Sequence, residues 1–142
     1  MPFEFDAEGI KLGGDFVLIP EGQYAFEVED IDEGFTKDGN QRVAIKAKIL
    51  EGEFMGETLP HTVSFLPKGK KGAGFCLVFL KAIGEPYEGK IQVTPIDWVG
   101  KKFVGHVIVD KWFSDQKQKW MESNKIVPWE ISAYGAQEIP LQ

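Results

Sequence analysis

The sequence predicts an all-β domain of five strands with one helix, and three observations carry that prediction. Residues 103–112 alternate strictly: Phe103, Gly105, Val107, Val109 and Lys111 point one way, and Val104, His106, Ile108, Asp110 and Trp112 the other. Val and Ile populate both sets, which favours a strand over a helix. Turn-forming clusters recur between the apolar runs, with Asp38-Gly39 the strongest hairpin signal. A single stretch, 73–84, spaces its apolar residues as a helix does, at Phe75, Cys76, Val78, Phe79, Leu80 and Ile83, with Gly84 as its stop.

Taken in order, residues 1–19 scatter apolar side chains among acids and read as an arm ending in a short strand. Pro20-Glu21-Gly22 then makes a turn. The first strand follows, with Tyr24, Phe26 and Val28 alternating with Ala25, Glu27 and Glu29, and it ends at the turn 37–40. In the second strand Val43, Ile45, Ala47 and Ile49 face inward, leaving Arg42, Lys46 and Lys48 as an outward basic stripe. That stripe suits phosphate binding, but antiparallel pairing also sets Glu27 and Glu29 near Lys46 and Lys48, and opposite charges across strands stabilise a sheet by themselves. Residues 51–57 reverse the chain into a third strand, 58–65, whose Pro60 deletes a ladder hydrogen bond and so places it at an edge or a bulge.

Residues 66–72 hold three lysines, Lys68, Lys70 and Lys71, with Gly69 and Gly72 and no acid, the sharpest local positive charge in the chain. A solvated loop explains the same composition. The predicted helix comes next, and Cys76 on its apolar face reads as core, since no base stands near it in the sequence. Residues 86–95 are irregular, with Ile91 and Val93 forming a short strand. A long hairpin then occupies 98–126, its two strands joined by the polar run 114–119. The returning strand, 119–130, is expected to break at Ser123-Asn124.

At 142 residues the chain suits one domain, and 43% hydrophobic with 27% charged residues is a globular composition. A lone cysteine and the lack of a hydrophobic leader fit a reducing cytoplasm, and no run is apolar for long enough to span a membrane. The net charge of −6 counts against a nucleic-acid binder at face value. Its distribution softens the objection: residues 1–34 carry ten acids against one Lys, and residues 35–142 carry twelve acids against fifteen Lys and Arg.

Three strands, a helix and two more strands is the element order of the five-stranded OB-fold barrel, with the helix between strands three and four. The expected division is an acidic arm over 1–15, the barrel over 16–130 and a tail over 131–142, loosely ordered or packed along the barrel. The binding lips usual for that fold fall at 35–41 and 114–119. Pro20, Gly22 and Tyr24 opening a strand, Lys37 to Asn40 at its end, the Lys-rich loop before the helix, and Gly100-Lys101-Lys102-Phe103 opening the fourth strand resemble the small phage-encoded single-stranded DNA-binding proteins. That resemblance covers roughly 16–129. It implies an OB fold, sequence-tolerant binding of single-stranded DNA, a part in phage replication or recombination beside the proteins of those processes, and the host cytoplasm as location. Single-stranded RNA and homo-oligomers stay open. Many such proteins end in an acidic tail, whereas 136–142 holds Glu138 alone.

On the nucleic-acid reading Trp112, Phe113, Trp120 and Phe35 stack on bases, while Lys37, Arg42, Lys46, Lys48, Lys68, Lys70, Lys71, Lys111, Lys117 and Lys119 meet phosphates. The competing reading makes the same aromatics caps on the end of the barrel, or contact anchors of a protein-interaction or virion-structural barrel. Catalysis finds little support. His61, His106 and Cys76 do not compose a usual zinc site, alternation splits Glu29, Asp30, Asp32 and Glu33 between two faces, and the lysine loop runs into Phe75 where a phosphate loop needs a hydroxyl residue. No catalytic residue, metal or cofactor is expected.

Overall fold

The computed structural model describes residues 2–6, 8 and 18–135. The arm expected over 1–15 with its closing strand lies largely outside the described residues, as does 136–142 of the expected tail. Five strands are present, β1 (Gly22–Phe35), β2 (Gln41–Ile49), β3 (Thr58–Ser64), β4 (Lys102–Ser114) and β5 (Lys119–Ala133), with helix α1 (Phe75–Ala82) between β3 and β4. All pairings are antiparallel, and the strands form one sheet in the order β3-β2-β1-β4-β5.

β1 serves two partners. It pairs with β4 from Gly22 to Glu27 and with β2 from Phe26 to Phe35, and its register shifts between Val28 and Asp30. The extra residue there, Glu29, bends the strand and raises its twist. The sheet therefore curls until its two outer strands, β3 and β5, approach each other with α1 packed against both. No ladder joins those outer strands, so the five strands expected as a barrel form one sheet that stays open between them.

The core lies inside this curl. Phe26 stacks on Phe103 with ring centroids 5.3 Å apart, Phe79 of α1 meets Phe103 edge-on at 5.4 Å, and Trp98 lies 5.2 Å from Phe79. All four are buried, joined by Val43, Ile45, Ala47 and Ile49 from β2 and Leu59 and Val63 from β3. The alternation read from the sequence thus assigns the inner face of β2 correctly. Cys76 is core as expected: its thiol donates to the Ala73 carbonyl at 3.5 Å, and burial pushes its pKa up.

Two expectations need correction. Ile91 and Val93 pack against the core without forming a strand. β5 does not break at Ser123-Asn124. Instead Asn124 pairs opposite Val109, and its side-chain amide holds the backbone of Ile19, accepting from the N–H at 2.6 Å and donating to the carbonyl at 2.7 Å. The irregularity falls later, between the pairs Val107↔Ile126 and Gly105↔Ile131, where Pro128 can give no ladder hydrogen bond. Beyond it β5 resumes to Ala133, taking in the first residues of the expected tail.

Gly105 sits at this crowded point. A Cβ there would stand 3.1 Å from the Ile126 Cγ2 and 3.3 Å from the Phe26 ring, both immobilised in the core. Gly105→Ala is therefore expected to destabilise the fold by about 1–3 kcal/mol, read as a lower urea midpoint at unchanged slope.

Candidate nucleic-acid interface

β4 and β5 run on past the core as a two-stranded ribbon. From Asp110 on, β4 is exposed or half-buried on both faces, and so is β5 up to Lys125. Its base is held by Asn124 on Ile19 and by the Glu21 carboxylate, which accepts from the Val109 N–H at 2.8 Å. The tip is the polar run predicted from sequence, closed with Gln118 at φ 53°, a left-handed conformation unusual for a residue with a Cβ.

Directly paired residues of a ribbon share a face. Phe113 opposes Trp120, and their rings meet edge-on at 5.6 Å. One step inward on that face Lys111 opposes Glu122, with Nζ 3.4 Å from the carboxylate. Trp112 opposes Met121 on the reverse face, one step from Ser114 and Lys119. The ribbon therefore brings Phe113 and Trp120 together and turns Trp112 away from them. Trp112, Phe113 and Trp120 are 44%, 44% and 70% exposed, so none of them caps the core.

The other predicted residues are dispersed. Phe35 and Lys37 are exposed at the β1–β2 turn, which leaves β1 at the end opposite the ribbon. Lys46 lies 3.6 Å from Glu29, Lys48 pairs opposite Glu27, and Arg42 donates from Nε to the Phe35 carbonyl at 3.3 Å. The basic stripe thus faces the acids of β1, as the cross-strand reading requires. Lys68, Lys70 and Lys71 are all exposed on the loop before α1.

Sequence reasoning missed a second aromatic pair. Trp129, in the irregular part of β5, is 60% exposed and stands with its ring centroid 5.5 Å from that of Phe75, the first residue of α1. The sequence places Phe75 in the helix's apolar set and Trp129 near the end of the returning strand, with nothing to pair them. Only the packing of α1 on β5 brings them together beside the lysine loop.

Neither histidine joins the aromatics of the ribbon. His106 Nε2 is 4.0 Å from the Glu130 carboxylate. His61 points inward from β3, 6.2 Å from the Phe79 ring, and burial lowers its pKa to about 4. Among the described residues no group of three His, Cys, Asp or Glu could hold a metal ion, and no helix is long and apolar enough to cross a membrane. No protein-family model and no curated protein matches the chain.

The fold holds His61 neutral while the unfolded chain protonates it near its ordinary value of 6.5. Unfolded chains therefore bind the additional proton between these values, and stability is lost as pH falls from about 6.5 towards 4. His61→Leu is expected to shrink the loss of urea midpoint between pH 7 and pH 4.5, the carboxylates contributing equally to both proteins.

Proposed function

We propose that this chain is a sequence-tolerant binder of single-stranded DNA, built on a partly open OB-type barrel. The strand order supports the fold assignment: β3-β2-β1-β4-β5 with a helix between β3 and β4 is the order that such a barrel would have if laid open at a β3/β5 seam. A part in phage replication or recombination, in the host cytoplasm, follows from the resemblance carried by Gly22, Tyr24, the turn after β1 and the opening of β4.

The observation that carries the binding role is the Phe113–Trp120 face of the ribbon. Two large rings are held outside the core, in mutual contact, beside Lys111 and the tip residue Lys117. Every base has a π-face, so stacking there contributes about 1–3 kcal/mol per base with little sequence preference. The ion pair of Lys111 with Glu122 is exposed and worth little, so the lysine can exchange its partner for a phosphate. Binding of this kind needs no catalytic group, metal or cofactor.

A second reading is favoured by Trp112 and Met121. They stand on the reverse face, where a strand lying on Phe113 and Trp120 does not pass. That face suits a protein contact, either with a replication or recombination protein or with a second copy of the chain.

Titration of intrinsic fluorescence with oligo-dT at two salt concentrations tests the proposal, with duplex of the same sequence alongside. Strong quenching by the single strand, weak quenching by the duplex and weakening with salt are expected. Trp120→Ala should weaken binding by about 1–3 kcal/mol and leave the urea midpoint unchanged, since the ring contributes nothing to the core. No binding of the single strand at low salt sinks the proposal.

A further inference from the structure

We propose that the seam between β3 and β5 is a second nucleotide subsite, holding one unit of the single strand with its phosphate between Lys71 and Lys125 and its base on the Phe75–Trp129 ring pair. The inference rests on the single-strand reading and extends it. The seam is neither the outer face of β2 and β3 nor one of the two loops through which an OB barrel ordinarily binds.

The open sheet leaves a cleft of about 440 Å³ there, within the range of small-molecule sites. Edge strand β3 forms one wall from Pro60 to Ser64, β5 forms the other from Asn124 to Pro128, and Lys71, Gly72 and Phe75 close one side. In a chain of net charge −6, no carboxylate lines this cleft. Its formal charges are Lys71 and Lys125, both exposed and neither in an ion pair among the described residues. They come from different elements, the loop before α1 and β5.

The remaining chemistry matches the same ligand. Thr62 and Ser64 bring hydroxyls to the wall, and β3, as a sheet edge, offers backbone donors to a sugar-phosphate chain lying along it. Phe75 lines the cleft and Trp129 leans on it, a broad π-surface that is otherwise costly to leave in water. Gly72 permits this arrangement, because its φ of 86° turns the loop and a Cβ there would come within 3.3 Å of the Phe75 ring. A solvated lysine loop accounts for Lys71 alone. It accounts for neither Lys125, the absence of acids from the lining, nor the exposed ring pair.

The test uses the full chain with oligo-dT carrying a photoreactive halogenated uracil, cross-linked and mapped by peptide mass spectrometry. Cross-links at Phe75 or Trp129 are expected, beside those at Trp120. In parallel, Lys71→Ala combined with Lys125→Ala should lower the slope of log affinity against log salt by about 0.7, the share of the one phosphate they hold on a single strand. Both lysines are exposed, so the double variant folds. Cross-links confined to the ribbon together with an unchanged salt slope overturn the subsite and leave the single-strand reading standing. Failure of the unmodified chain to bind the oligonucleotide overturns both.

Discussion

One strand with two partners shapes everything else in this molecule. β1 must lie beside β4 at its start and β2 at its end, and a flat strand doing both would give a flat sheet with its apolar face open to water. The additional residue at Glu29 provides the bend. Once the sheet curls, Phe26, Phe103 and Val28 meet Phe79 and Trp98 across the interior, and a short helix suffices to cover the gap. The curl also decides where function can reside. It leaves β3 and β5 near each other but unpaired, and it leaves the last part of the β4–β5 hairpin with no third strand to lie on.

Charge is arranged by the same geometry. The negative balance that argued against nucleic acid is concentrated in residues 1–34, and the outer face of β1 sets Glu27, Glu29 and Asp30 against Lys48 and Lys46. Those lysines are occupied in holding the sheet, each pair contributing a few tenths of a kcal/mol to about 1 kcal/mol. The cations left facing water include those of the ribbon tip, the loop before α1 and the seam. Net charge describes this chain poorly as a ligand-binding surface, because no carboxylate lines the seam.

Much of the fold is legible in the sequence, since alternation in β2, β3 and β4, the Asp38-Gly39 turn, the edge-strand Pro60 and the helix ahead of Gly84 are local signals. What was misread depends on distant partners. Asn124 looks like a turn residue and is instead a clamp on Ile19. Ile91 and Val93 have strand-like spacing but no strand beside them. The ribbon's aromatics were legible as a group, while their division between two faces required the register Phe113↔Trp120. Nothing local pairs Phe75 with Trp129. Their contact exists because α1 lies on β5, which no motif encodes.

The clamp of Asn124 on Ile19 has a kinetic side. It joins residues 105 apart, and the pairing Gly22↔Val107 spans nearly as much chain. During synthesis β1, β2 and β3 can assemble as a local meander as soon as they emerge. The first half of β1, with Phe26 among its residues, then waits for β4 before its ladder is complete. Contacts of such long range make folding slow for a domain of this size, and they make the meander an aggregation-exposed species until the ribbon's base closes over it.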